Sequence, residues 1–328
     1  MKSRIAKGSV KTKKSENMRV LITGGLGFIG TNLAIRCLQM NWDVSIVDNG
    51  KTEFHKSRKK IIYQHGDPQI HECSVKSFVI TNKYKNFDAV FHLAAQPSVL
   101  YSVEQPYKSF ANNVQDTTLL LLTESADHKN IKRIIFASSA AVYGNTNCFP
   151  TTESSTIQPE SPYGLQKYIG EKLLELQTRK HKLDGVSLRY FNVYGPYQYL
   201  TGAYATAVSA WLHAIKNKQP LRKDGTGEQV RDMVFVDDVV NANILAAQHK
   251  CRLDGVALNI ASGTQVSNNH ILDLLSQKFS FSIQNAPFRA GDVMKTAPSI
   301  ELAEKIIGYK PKYDFTTGLQ KTIDSMQI

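Results

Sequence analysis

Short apolar runs alternate with longer stretches of helical spacing along most of this chain. Arg19–Thr23 is an apolar run that predicts a buried strand, residues 24–30 form a glycine-rich turn, and residues 31–40 carry a helical pattern. Residues 44–48, 89–93, 133–137 and 186–192 predict further strands, with helices over 106–126 and Pro162–Lys180. Short, nearly continuous apolar strands separated by helices indicate an α/β fold with a mostly parallel sheet, wound on both faces as in a Rossmann-type domain. After Gly195 the pattern loosens. A helix over 203–217, a glycine-rich run at 224–227 and a less regular segment from 268 predict a smaller C-terminal lobe. The runs at 234–236 and 257–260 predict short strands returning to the main sheet.

Composition and charge narrow the reading. The 328 residues are 42% hydrophobic and 21% charged, ordinary globular usage that excludes a wholly disordered or collagen-like chain. No stretch approaches about 18 uninterrupted apolar residues, so no membrane span and no membrane partner are expected. A net charge of +12 first suggests an acidic partner such as nucleic acid, but its location argues otherwise. Residues 1–17 carry Lys2, Arg4, Lys7, Lys11, Lys13 and Lys14 against Glu16. Residues 51–60 carry Lys51, Lys56, Arg58, Lys59 and Lys60 against Glu53. The first segment reads as a disordered basic tail and the second as a solvated surface loop. The rest is nearly balanced, and no nucleic-acid partner is expected. Cys37, Cys73, Cys148 and Cys251 form no close pair and no Cys/His cluster, so neither a metal site nor a disulfide framework is expected. A reducing, cytoplasmic compartment fits such cysteines.

The candidate chemistry begins at Thr23-Gly24-Gly25-Leu26-Gly27-Phe28-Ile29-Gly30, between the first strand and the first helix. Glycines there let the backbone approach a pyrophosphate, and the helix amino end supplies free N–H groups. Gly25, Gly27 and Gly30 fit one glycine register; Gly24, Gly27 and Gly30 fit another. Asp48, followed by Asn49, ends the second strand. A carboxylate there accepts from both hydroxyls of an adenine ribose and repels a 2′-phosphate, which favours NAD over NADP. Ser138 and Ser139 end another buried strand, the side of a parallel sheet where chemistry is placed. Tyr163 and Lys167, four apart on a helix, share a face. A neighbouring ammonium is expected to lower the phenol pKa and suit it to general-base work. Tyr168 and Lys172 repeat the spacing about 140° around the helix and are expected to be packing or surface residues. Tyr163 is preferred because it follows Ser161-Pro162, a helix-start signal.

Together these motifs resemble the extended short-chain dehydrogenases/reductases, and among them the nucleotide-sugar 4-epimerases of the UDP-glucose 4-epimerase type. The likeness covers about residues 18–319. It rests on the glycine turn, His92-Leu93-Ala94-Ala95-Gln96, the Ser139/Tyr163/Lys167 set, and Arg189-Tyr190-Phe191-Asn192-Val193-Tyr194-Gly195-Pro196. It continues through Gly227-Glu228-Gln229-Val230-Arg231-Asp232-Met233-Val234-Phe235-Val236-Asp237-Asp238 and Arg289-Ala290-Gly291-Asp292. The resemblance implies an NAD-binding Rossmann domain over 18–194, with a returning segment near 230–262. It implies a nucleotide-sugar lobe over 195–229 and 263–328. It implies that Tyr163 takes the sugar 4-OH proton, that Lys167 holds the nicotinamide ribose, and that Ser139 hydrogen-bonds the reacting oxygen. Gly24, Gly27, Phe28, Ile29, Gly30, Asp48, Asn49 and Asp67 would contact NAD. Asn192, Arg231, Arg289 and Asp292 would hold a nucleotide sugar, with the arginines on its diphosphate. A homodimer through the helices beginning near Pro106 and Pro162 is likewise implied. His92 reads as structural. Two departures stand out: Pro68 follows Asp67 where the family has an apolar residue, and Asp116 replaces a usual glycine.

Ala140 and Ala141 follow Ser139, where dehydrating and decarboxylating relatives carry carboxylates. Alanines transfer no protons, so an epimerase or an NAD(P)H-dependent keto-sugar reductase remains ahead of a 4,6-dehydratase, and Asp48 favours the epimerase. Thr296 is small where similar epimerases use a bulky residue to exclude N-acetylated sugars, so N-acetylhexosamine or uronic acid substrates are expected to fit. A dinucleotide-binding protein without catalysis is the alternative from another class.

Overall fold

The computed structural model describes residues 17–328 except 52–53, 82–85, 120, 124–130, 182, 199–205, 289–292 and 327. In chain order the strands are β1 (Arg19–Thr23), β2 (Asp43–Asp48), β3 (Gln69–Glu72), β4 (Ala89–His92), β5 (Arg133–Ser139), β6 (Asp184–Tyr190), β7 (Asn192–Tyr194), β8 (Leu221–Asp224), β9 (Val230–Phe235), β10 (Val256–Ile260), β11 (Gln265–Ser267) and β12 (Ile283–Ala286). Seven of them form one sheet in the order β3-β2-β1-β4-β5-β6-β10, every pair parallel.

An all-parallel sheet is covered on both faces, which explains why its strands read as continuous apolar runs rather than alternating ones. Helices Phe28–Gln39, Val236–Gln248 and Glu301–Ile307 cover one face around Val20, Ile22, Ile46, Phe91 and Leu258. Val75–Ile80 and Pro162–Lys180 help cover the other, around Leu21, Val90, Phe136 and Leu174. The chain leaves β1 toward β2 on one side and resumes at β4 on the other, so the carboxyl ends of β1 and β4 flank a topological switch point, where such sheets bind ligands.

Two smaller sheets sit beyond β6. β9 pairs parallel with β7 and antiparallel with β11, and β12 pairs parallel with β8. Trp211, Leu212, Phe235, Leu272, Phe315 and Leu319 form their core. β10 joins the main sheet as the sequence pattern predicts, but the strand expected at 234–236 does not: β9 stays with β7 and β11, and Val236 already begins a helix. The helix expected over 203–217 spans Ala207–Lys216 within the described residues. The segment from 268, expected to be irregular, opens with a regular helix, Asn268–Ser276, capped by Ser267.

Two local readings change. The basic segment after β2 is a helix, His55–Tyr63, rather than a loop; Lys59 pairs with Glu72, and Arg58 is buried. The helix expected over 106–126 is α-helical at Pro106–Phe110 and π-helical at Ala111–Leu119. Asp116, on that π-turn, points outward and pairs with Lys76 at 2.9 Å, so its carboxylate replaces a glycine without burial. The basic tail expected over 1–17 lies outside the described residues, apart from Asn17.

Candidate active site

A continuous cleft of about 1700 Å³ opens along the carboxyl ends of the parallel strands. Single small-ligand pockets occupy roughly 300–1,000 Å³, so this one has room for two ligands side by side. At one end lies the glycine turn. Gly24 has φ +71, and a Cβ there would stand 2.8 Å from the Ala94 nitrogen. A Cβ on Gly30 would stand 2.2 Å from the Gly24 oxygen. Gly24, Gly27 and Gly30 line the cleft, whereas a Cβ on Gly25 would strike Ile46 instead, which selects the register that starts at Gly24. Phe28 and Ile29 open helix Phe28–Gln39, whose first turn holds no acidic side chain to oppose an anion.

Asp48 is fixed by the same turn. One carboxylate oxygen accepts from the Leu26 amide at 3.0 Å and the other from the Gly50 amide at 2.9 Å. Asn49 is exposed at the rim, where it accepts from the Lys51 amide. Asp67 is a correction. It is exposed and precedes β3, whose register pairs Gln69 with Ser45 and Glu72 with Asp48. That places Asp67 at the amino end of the strand, away from the cleft. Cys73 and Ser74, just past the carboxyl end of β3, line the cleft beside Asp48. The Gly-Asp pattern pointed to Asp67, but a residue must follow its strand to reach this edge, and the four-residue β3 is too short to announce itself.

Helix Pro162–Lys180 aims the catalytic candidates. Ser161 caps it by accepting from the Gly164 amide at 3.1 Å, and Pro162 occupies its first turn. The Tyr163 amide donates to Ser102 Oγ at 3.1 Å, which ties the helix start to Val99–Glu104. The Ser139 hydroxyl lies near enough to the Tyr163 phenol to favour its ionised form. Lys167 is buried; its Nζ donates to the Ala137 carbonyl at 2.7 Å and lies 5.8 Å from the Tyr163 ring centre. Ser139, Tyr163 and Lys167 therefore share one wall of the cleft, beside the apolar Ala140 and Ala141. The expected fall in the phenol pKa is not found. Burial pushes Tyr163 up to about 12, with the Ser139 hydroxyl working in the opposite direction. Burial also brings Lys167 down to about 8, opposed by the Glu171 carboxylate.

Other expectations sort cleanly. Ser138 turns away from Tyr163 and donates to Glu171. Lys172 pairs with Glu175 and lies over Tyr168, outside the cleft. His92 is buried between the Thr23 and Thr118 hydroxyls, at 2.8 and 3.1 Å, and burial drives its pKa down to about 3. It is a neutral structural residue. At the far end of the cleft, Asn192 donates to the Asp232 carbonyl at 3.0 Å and lies 3.4 Å from the Thr296 hydroxyl. The Asp232 amide donates to that hydroxyl at 2.8 Å. Arg231 lines this end, while buried Asp232 accepts from the Ser262 and Gly263 amides instead of forming a surface ion pair with it. Arg289 and Asp292 lie outside the described residues.

Arg58 escaped the sequence reading. Its guanidinium donates to the Leu26 carbonyl at 2.8 Å and the Tyr197 carbonyl at 2.6 Å, joining the glycine turn to the loop after β7. Nothing in a run of lysines distinguishes the one basic residue that folds inward. Among the described residues no group of His, Cys, Asp and Glu could hold a metal ion, and no helix is long and apolar enough to cross a membrane.

The chain belongs to the NAD-dependent epimerase/dehydratase family, whose model matches residues 20–261. A putative UDP-glucose 4-epimerase of Methanocaldococcus jannaschii is 34% identical, over 94% of this chain and 98% of the relative. The solved UDP-N-acetylglucosamine 4-epimerase of Methanobrevibacter ruminantium, in complex with UDP-N-acetylmuramic acid, is 32% identical with a TM-score of 0.88, over 95% of this chain and 99% of that one. The UDP-glucose 4-epimerase of Thermotoga maritima, solved with UDP-glucose, is 32% identical with a TM-score of 0.85, over 94% and 99%.

Proposed function

We propose that this protein is an NAD-dependent 4-epimerase of a UDP-hexose, with N-acetylhexosamine or uronic acid forms among its substrates. The observation that carries the reading is the wall of Ser139, Tyr163 and Lys167 beside Ala140 and Ala141. The first three supply a base, a cation and a donor for a sugar hydroxyl; the alanines leave no second acid for dehydration. The residues fit NAD: Gly24, Gly27 and Gly30 bring bare backbone to the cleft wall at the amino end of helix Phe28–Gln39, and Asp48 is held at the end of β2. NAD, when bound, supplies a hydride acceptor and a positively charged ring.

Tyr163 takes the proton from the sugar 4-OH, with Ser139 hydrogen-bonding the same oxygen. Lys167 holds the nicotinamide ribose, and its charge favours the phenolate. Because burial, even with Ser139 opposing it, holds the Tyr163 pKa near 12, the positive ring that NAD would bring beside Tyr163 and Lys167 is needed to draw the phenol into working range. The 4-keto sugar turns over in the cleft and regains hydrogen on its other face. Asn192 and Arg231 contact the nucleotide sugar, as do Arg289 and Asp292, with the arginines on its diphosphate. Thr296 offers a small side chain beside the sugar, its hydroxyl already engaged by the Asp232 amide.

The chain division follows the ligands: residues 18–194, with the returning segment near 230–262, serve NAD, and 195–229 with 263–328 serve the nucleotide sugar. A homodimer is supported by the exposed Leu100 (58%), Val103 (57%), Tyr107 (83%) and Leu165 (49%), on helices Val99–Glu104, Pro106–Phe110 and Pro162–Lys180. Free Cys148 and Cys251 at the surface suit a cytoplasmic location.

The test is purified protein with UDP-glucose, UDP-N-acetylglucosamine or UDP-glucuronate, with and without added NAD, and product analysis by NMR. The C4 epimer should accumulate without net NADH. Stoichiometric formation of NADH from added NAD, with a keto sugar as product, would identify a reductase running in reverse, and no turnover of any of the three would overturn the epimerase.

A further inference from the structure

Behind the catalytic wall lies a set of buried charges that the proposed reaction leaves unassigned. Glu171 stands one turn after Lys167 on helix Pro162–Lys180, and both side chains are buried. Arg189 enters from the carboxyl end of β6 and grips Glu171 with two bonds, Nε to Oε1 at 2.9 Å and Nη2 to Oε2 at 2.7 Å. Ser138 donates to the same carboxylate from the end of β5, next to Ser139. Arg189 Nη1 donates to the Tyr143 hydroxyl at 2.7 Å, and Tyr143 donates to Asn259 at 2.7 Å. The pair thus reaches the catalytic helix, β5, β6 and β10.

Buried ion pairs are costly to form, and hydrophobic replacements often serve stability as well or better. Stability alone is therefore a weak reason for this one. We propose that Glu171, clamped by Arg189 and Ser138, is a positioning residue whose negative charge keeps Lys167 protonated where the reaction needs a cation. The inference rests on the epimerase reading for the role of Lys167, but not for its protonation.

The geometry supports it from three sides. Lys167 has one hydrogen-bond acceptor among the described contacts, the neutral Ala137 carbonyl, so a buried ammonium there needs a nearby anion. The other groups around this helix face do not provide one. His92 from β4 is neutral and is further disfavoured as a cation by Lys167 itself. Before any ligand binds, burial keeps both Tyr163 and Tyr143 as phenols, each pushed up to about 12. Arg189 is a cation held on the far side of the carboxylate. Glu171 is the charge that opposes the loss of the Lys167 proton; with that carboxylate in place, burial still brings Lys167 down to about 8.

The test labels lysine side chains with 13C at Cε and follows the Lys167 signal, assigned with Lys167→Met, through a pH titration of the full chain. Glu171→Gln should lower the Lys167 midpoint by about one unit or more, and Glu171→Asp, which keeps the charge, should restore most of it. In wild type and Glu171→Gln the descending alkaline limb of kcat should shift with the same midpoint, while KM for the nucleotide sugar stays nearly constant. If Glu171→Gln does not fold, Glu171→Gln with Arg189→Met leaves neither charge unpaired; because it also removes the Arg189 cation, the Lys167 midpoint should fall by less but in the same direction, Glu171 being the charge that acts on it directly. A Lys167 midpoint unmoved in the folded variant overturns the proposal, whatever the activity. Because the titration needs no substrate, failure of the epimerase reading would appear separately, as wild-type protein that turns over no UDP-sugar.

Discussion

Tyr163 sits between opposed influences: a half-buried site that favours the neutral phenol, and a serine and a lysine placed to favour its anion. Removing its oxygen should therefore abolish chemistry while sparing the fold. Tyr163→Phe is expected to lower kcat by about 10²–10⁴-fold, with an unchanged melting temperature by circular dichroism. His92 makes the contrasting case. Its folded pKa, near 3, lies below the ordinary value of 6.5. The unfolded chain therefore gains a proton below about pH 6.5 that the folded chain refuses, and stability falls as pH drops through that window. The slope from this one group approaches about 1.4 kcal/mol per pH unit. Urea unfolding of His92→Asn at pH 7.5 and 5.5 should show a smaller pH-dependent loss than wild type by about 1 kcal/mol.

At the scale of elements, one helix does most of the aiming. Pro162–Lys180 carries Tyr163, Lys167 and Glu171 on successive turns, and Ser161 and Pro162 fix where those turns begin. This was legible in the sequence, because an i, i+4 spacing after a helix-start signal has one geometric meaning. The strands before Gly24 and Ser139 were legible for a related reason: strands buried on both faces leave unbroken apolar runs. β3 and helix His55–Tyr63 were not, since one is a short edge strand of mixed polarity and the other is mostly basic. That gap hid Cys73 and misplaced Asp67. Arg189 left a signal that was available, a charge near the end of a buried strand, but its partner Glu171 lies 18 positions earlier. Arg58 is the sharpest test of element coupling. Arg58→Ala removes the bonds that join Leu26 to Tyr197, and bonds from a charged donor are worth about 1.5–3 kcal/mol each. NAD retention and nucleotide-sugar affinity should therefore weaken together, by about tenfold or more, in calorimetric titrations.

For the whole molecule, the charge that first drew attention to acidic partners is divided between a terminal segment and a helix whose Arg58 is buried and whose Lys59 is paired. A chain lacking residues 1–16 should turn over UDP-sugar at the full rate. The exposed apolar face near Tyr107 and Leu165 carries a separate expectation: Tyr107→Glu with Leu165→Glu should convert a dimer to monomer in sedimentation analysis, with the cleft residues untouched. Finally, the two alanines beside Ser139 leave an isotopic fingerprint. Hydrogen removed from C4 never mixes with water on the proposed route, and Ala140 and Ala141 offer no group to exchange a proton at C5. Sugar epimerised in deuterium oxide should therefore keep protium at every carbon. Deuterium appearing at C5 would mean that an acid–base pair beyond Tyr163 had entered the chemistry.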